Sequence, residues 1–289
     1  FSAFFNALKE ENQKNLQWLV LTGFLTGLSY ITRYAALSLF VTFVVAIFIL
    51  RPTWRKRFIS FGYFLIGALP PILAWMGRNK IVGGSATNRA IHWHPVTSEN
   101  IQRGLHEFFD FIIPMRSLWA DWYENYTLLA ILLALFTIAL LLWLLPQGLR
   151  YFIKPQENAK PAILPFVTTL YIFGYMGSLL VSLTLFDAAT PLNDRILSPV
   201  YVAVLMMIIY FLHRAFVQGK MVSRYVVVGV VVFFLSIFAL SQYDMVQELR
   251  QTPTGFASWR WRESVVMEAI REMPEDVAIS TNQPPAVYF

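Results

Sequence analysis

The sequence predicts an all-α polytopic membrane protein of about seven transmembrane helices, two of them short and broken at Arg33, with a small α/β piece at the C-terminal end outside the membrane. Three observations lead there. Of 289 residues, 57% are hydrophobic and 14% charged, and the mean hydropathy is +0.53; a soluble domain carries about 25% charge and about 45–50% apolar residues. Several stretches reach the roughly 17–25 apolar residues that a helix needs to cross a hydrocarbon core about 30 Å thick. The short basic connections between them all fall on one side once the stretches are threaded through a bilayer. There are too few polar residues to cover a water-facing surface, which excludes an ordinary soluble enzyme and a disordered chain.

The first long apolar stretch, Gln17–Leu50, covers 34 residues, too many for one span, and Thr32-Arg33-Tyr34 interrupts it. It reads as two helices, Gln17–Ile31 and Ala35–Leu50, each about 22–24 Å long at about 1.5 Å per residue. Short helices meeting at a polar break line a cavity more often than they face lipid all round. Gly23 and Gly27 make a small-xxx-small pair that favours close helix contact. Five plain spans follow: Phe58–Gly77, Tyr126–Leu145, Ala162–Phe186, Ile196–Leu212 and Tyr225–Gln242. Residues 1–242, with the long connection 78–125, therefore form the helical bundle. Residues 243–289 begin a separate piece: Ser258–Met273 reads as a helix capped by Ser258, and Val277–Ser280 as a strand after the turn Pro274-Glu275-Asp276.

Charge fixes the orientation. With segment 1–16 cytoplasmic, the inner connections 1–16, 51–57, 146–161 and 213–224 hold twelve cations against three acids, and the other side holds eleven cations against fourteen acids. The net charge of +6 is thus a topology signal, and nucleic acid is not expected as a partner. The N-terminal end is expected in the cytoplasm, with the C-terminal tail and the connection 78–125 outside. The chain opens at Phe1 without a methionine and closes in the apolar run Ala286-Val287-Tyr288-Phe289; it is expected to be an internal piece of a longer protein.

Cysteine is absent, so no thiol nucleophile or thiolate metal site exists. Arg33 sits at the helix break, Arg78 just beyond the outer end of the Phe58–Gly77 span, and Arg195 beside Asp194 at the start of another. All three arginines fall at the outer mouth of the bundle. Planar guanidinium groups converging in a partly desolvated place suit a phosphate, and a lipid phosphate is the natural anion at that depth; each alone can instead snorkel to interfacial water. His92 and His94 have strand-like ligand spacing without an evident third ligand, so no metal is assigned, though a divalent ion is not excluded. Asp110, Asp121 and Glu124 are outer carboxylates able to act as acid or base, and their spacing singles out none of them. No span carries a central Asp, Glu or Lys, which counts against an ion-coupled carrier.

Several of these stretches together resemble a known family. The run Leu21–Tyr34 is similar to the glycine- and leucine-rich segment ending in a basic residue of GT-C membrane glycosyltransferases, the group related to protein O-mannosyltransferases and aminoarabinose transferases (family 39-like). Trp75-Met76-Gly77-Arg78-Asn79, with Gly83-Gly84-Ser85 and Arg89, resembles the beginning of their large outer loop, and Asp194-Arg195-Ile196-Leu197-Ser198-Pro199-Val200-Tyr201 resembles their late-span motif. The resemblance implies a multi-pass protein of a bacterial plasma membrane. It would move a sugar from a polyprenyl phosphate or diphosphate donor to a hydroxyl of a glycan, lipid or protein acceptor at the outer face. It implies Arg33, Tyr34, Arg78, Asp194 and Arg195 on the donor-phosphate side, and a catalytic carboxylate upstream of residue 1. Two other readings stand beside it: an O-antigen ligase or polymerase-like enzyme acting on lipid-linked glycan, with its chemistry in the outer loop, and a transporter not coupled to ions.

Overall fold

A computed structural model describes residues 1–9, 13–32, 34–84, 91–113, 123–155, 162–186, 190–252 and 264–274. Among these residues the chain is helical throughout, with no strand. The helices are α1 (Ser2–Lys9), α2 (Gln13–Thr32), α3 (Leu37–Leu50), α4 (Trp54–Gly83), α5 (Ser98–Ile112), α6 (Tyr123–Ile153), α7 (Ile163–Leu185), α8 (Asp194–Gln218), α9 (Met221–Gln251) and α10 (Val265–Arg271), and a 3-10 turn, Tyr34–Ala36, separates α2 from α3. Five of them, α4 and α6 to α9, are long and apolar enough to cross a membrane. The protein is therefore an all-α, multi-pass membrane protein. The expected count of seven spans is not reached by this measure. α3 has only 14 residues, about 21 Å of helix, and α2 begins with the polar run Gln13-Lys14-Asn15. The expected strand Val277–Ser280 and the cap Ser258 lie outside the described residues, and of the helix 258–273 the part Val265–Arg271 is described.

The chain divides into two units, Phe1–Arg224 and Tyr225–Phe289. In the second, α9 runs on to Gln251 and buries no residue along its length. The first holds the packed bundle. Its strongest packing is between α2 and α4, which run parallel: Gly23 lies against Phe64 and Ala68, and Gly67 against Val20 and Phe24. A Cβ on either glycine would drive into the facing backbone carbonyl, so these two positions set how closely the helices approach. α3 runs back antiparallel to α4, with Phe40 5.3 Å from Phe64 and Phe48 5.6 Å from Phe58, ring centre to ring centre. α7 adds Gly174 against Ser38 and Thr42, and α8 runs antiparallel to α7.

Most helices run longer than expected, whereas α3 and α7 are shorter than the expected Ala35–Leu50 and Ala162–Phe186. α6 continues through Pro146 and Arg150 to Ile153, and the expected inner connection 213–224 shrinks to Gly219 and Lys220 between α8 and α9. The basic residues read as loop charges are therefore largely helix-end charges. Among the described residues two of them are buried. Arg51, the residue after α3, donates to the Ala7 carbonyl at 2.9 Å. Arg57, only 4% exposed, donates to the Arg51 carbonyl at 2.8 Å and to the Phe152 carbonyl at 3.5 Å. Its guanidinium lies 4.7 Å from the Trp54 ring and 4.4 Å from the Phe152 ring. The carbonyls that accept are those at the ends of α1, α3 and α6, where orphan acceptors and the negative end of the helix dipole gather. Two arginines thus tie three helix ends to the start of α4.

Arg57→Lys keeps the charge and loses the fork that reaches two carbonyls and two rings. It is expected to destabilise the bundle by about 1.5–3 kcal/mol, the range for hydrogen bonds to a charged group, and Arg57→Ala by more; thermal unfolding of the detergent-solubilised protein measures both. Gly67→Val is expected to cost at least the roughly 1–3 kcal/mol of overpacking, because the facing group is backbone and cannot swing away.

Candidate functional site

The end of the unit opposite the buried arginines holds the break between α2 and α3. α2 stops at Thr32 and the chain re-enters α3 at Leu37 through the 3-10 turn, so the expected break lies where the sequence placed it. Ala35 of that turn packs against the cluster of Ile172, Tyr175 and Val200. The Tyr175 hydroxyl donates to the Ile196 carbonyl at 2.6 Å, joining the middle of α7 to the first turn of α8. Asn193 caps α8, its side chain accepting from the Ile196 amide at 3.2 Å.

α5 closes this end. Its apolar residues fall on one face, as expected for Ile101–Ile112, and Thr97 starts it by accepting from the Asn100 amide at 3.3 Å. Helix α5 packs on α6 and α8. Gly104 lies against Leu192. Asn100 holds the approach to α8 from both sides: its amide donates to the Thr190 carbonyl at 3.1 Å, and its carbonyl accepts from the Leu192 amide at 2.7 Å. His106 Nε2 meets the Thr127 hydroxyl at 2.9 Å at the start of α6. Further along, Phe111 stacks face to face on Tyr201 of α8, ring centres 4.2 Å apart and planes 4° from parallel.

The anticipated site residues fall as follows. Arg33 lies outside the described residues. Tyr34 opens the 3-10 turn, and its side chain is likewise outside the description. Arg78 is exposed near the end of α4, its guanidinium 5.1 Å from the Trp75 ring and bonded to Asn79 at 3.4 Å. Asp194 and Arg195 form the exposed first turn of α8. α4 packs chiefly on α2 and α3, and α8 on α7 and α5, so Arg78 and Arg195 stand on different parts of the bundle. At the two histidines the backbone is tied down: the His92 amide donates to the Leu185 carbonyl at 2.9 Å and the His94 amide to the Thr184 carbonyl at 2.7 Å. They satisfy orphan acceptors at the end of α7. Among the described residues, no three His, Cys, Asp or Glu side chains come together to hold a metal ion.

Sequence reading missed Tyr201 and Glu107. Tyr201 stood in the quoted motif but was given no role, and Glu107 precedes Phe111 by one helical turn on α5, a spacing that puts both on one face. Comparison with protein families, with curated proteins and with solved structures yields no match to this chain.

Asn100→Ala removes both bonds to the segment before α8. Amide exchange at Leu192 and Asn193 is expected to rise about 10- to 100-fold, corresponding to about 1.4–2.7 kcal/mol of lost local protection, while the middle of α8 keeps its protection. Unchanged exchange at Leu192 would show that α5 does not hold that segment.

Proposed function

We propose that this chain belongs to a membrane glycosyltransferase of the GT-C kind, which moves a sugar from a polyprenyl phosphate or diphosphate to an acceptor hydroxyl at the outer face of a bacterial plasma membrane. In this reading α2 and α3 join the five long helices as two further membrane segments meeting at Arg33. The buried-arginine end is cytoplasmic, following the positive-inside bias. The chain beyond α9 is extracytoplasmic.

The observation that carries the reading is the covered outer end. An amphipathic helix from the long connection lies across α6 and α8 and shares one packed cluster with the break between α2 and α3. A lipid-linked donor needs a place roofed from water. The acceptor oxygen attacks the anomeric carbon while the bond from that carbon to the phosphate oxygen breaks. A carboxylate takes the acceptor's proton, and the lipid phosphate leaves as an anion that guanidinium groups stabilise as its charge develops. Arg33, with Tyr34 beside it, Arg78, and Arg195 with neighbouring Asp194 remain the candidates for the phosphate side, although Arg78 and Arg195 stand on different parts of the bundle.

Transfer from a radiolabelled polyprenyl-phosphate sugar, assayed in membranes holding the full-length protein, tests the reading. Arg33→Gln and Arg195→Gln are each expected to lower kcat/KM about 10- to 100-fold, or about 1.4–2.7 kcal/mol of transition-state stabilisation. Full activity in both variants, or no consumption of any lipid-linked sugar, rejects it. Orientation is tested separately. The chain has no cysteine, so a single Lys220→Cys is expected to react with an impermeant maleimide only from the cytoplasmic side, and Ser98→Cys only from outside.

A further inference from the structure

His92 and His94 have no part in the function proposed above. They lie in the non-helical segment 91–97 that leads into α5, with Trp93 between them. In extended backbone, alternate residues face one side, and here the two rings do lie together: their centres are 6.2 Å apart and their planes 51° from parallel. The backbone beneath them is fixed. The His92 amide donates to the Leu185 carbonyl and the His94 amide to the Thr184 carbonyl, so both residues are tied to the end of α7, and Thr97 then caps α5. These ties use the amides and leave the side chains over. Among the described residues neither imidazole bonds to backbone or to another side chain. His92 is exposed and His94 half-buried, so the pair is open to solvent.

We infer that His92 and His94 together bind one divalent transition-metal ion, of the class of Zn²⁺, Cu²⁺ or Ni²⁺. The ligand atoms select the class: imidazole nitrogen suits these ions, whereas Mg²⁺ and Ca²⁺ take oxygen ligands. Metal–nitrogen bonds of about 2.0–2.1 Å place the ring centres of two imidazoles on one tetrahedral ion about 5 Å apart. Rotation about the side-chain bonds closes the remaining distance of about one ångström. Because the backbone is already held against α7, the pair loses little further freedom when it takes the ion, and preorganisation of that kind raises affinity. No third His, Cys, Asp or Glu among the described residues completes the set, so the ion keeps open positions for water or for the oxygen of another ligand. The inference stands on the histidine pair and does not depend on sugar transfer.

The chain suits a direct test, because it has only four histidines and no cysteine. Of the other two histidines, His106 meets the Thr127 hydroxyl, and His213 is exposed near the far end of α8. The 289-residue chain, free of any histidine tag and held in lipid nanodiscs, is loaded with equimolar Cu²⁺, and pulsed EPR counts the imidazoles on the ion. Calorimetry measures Zn²⁺ affinity. The parent is expected to show two imidazoles, and His92→Ala and His94→Ala one each. Each variant is expected to bind Zn²⁺ at least about tenfold more weakly, the low end of what loss of even a supporting group costs at a metal site. His213→Ala is expected to change neither reading, and a large excess of Mg²⁺ to displace nothing. Saturating Zn²⁺ is expected to raise the melting temperature of the parent and not of the double variant. Where an alanine variant melts lower without metal, His92→Gln or His94→Gln takes its place, with the same loss of binding expected. A parent chain with fewer than two imidazoles on Cu²⁺ overturns the inference. So does Zn²⁺ affinity equal to that of the double variant His92→Ala/His94→Ala, or displacement of the ion by Mg²⁺.

Discussion

In a helical bundle made for lipid, the backbone groups at helix ends decide whether the bundle closes. Each α-helix leaves about four carbonyls without an internal partner at its C-terminal end, and where three such ends meet away from water the deficit is large. Arg51 and Arg57 answer it here. A buried guanidinium standing alone would cost several kcal/mol in desolvation; aimed at the ends of α1, α3 and α6, it meets the negative ends of those helices and their free lone pairs together. Cation and carbonyls each remove the other's penalty. Because Arg57 sits in the first turn of α4, the same contacts fix where α4 begins. The glycine contacts then fix its depth against α2, and so set which part of α4 stands level with the break at Thr32.

That dependence explains what the sequence disclosed. The five long spans were legible because twenty apolar residues in a row have one economical fate. The α2–α3 break was legible because Thr32-Arg33-Tyr34 interrupts an apolar run too long for a single crossing. Gly23 and Gly27 were legible as a close-contact pair, though their partner helix was not. The helix ends were not legible. Pro146 and Pro199 sit inside helices, where membrane-embedded segments tolerate them, and a lone Gly219-Lys220 turn looks on paper like a loop. The burial of Arg57 was hidden for a related reason: a basic residue beside a span reads as a water-facing charge, and nothing local reveals that a helix end 95 residues later will take its proton donors.

The end closed by α5 was half legible. The amphipathic pattern of α5 and the start of α8 were on the page, as were the arginines. The stack of Phe111 on Tyr201 was not, because 90 residues separate the partners and an aromatic at helical spacing is usually core. Nor was the use of Asn100, whose amide has donor and acceptor in one planar group and can bridge Thr190 and Leu192 together. Local pattern located the elements, and long-range contacts joined them.

Charge separation at that end gives the arrangement its logic. The proposed sugar transfer from a lipid phosphate calls for two opposed environments: a cationic one for the departing phosphate and an acceptor-rich one that orients hydroxyls. Mixed in one place the two would neutralise each other as ion pairs. Placed on separate helices they need not. Arg78 rides on α4, whose neighbours are α2 and α3, whereas Glu107, Asp110 and Tyr201 belong to the α5–α8 junction. Asp194 and Arg195, adjacent in sequence, project about 100° apart on the first turn of α8. That angle lets one helix end present a carboxylate to the Tyr201 side and a guanidinium to another. The proposed reaction, which begins with a neutral sugar on an anionic carrier and ends with the two apart, calls for a division of that kind.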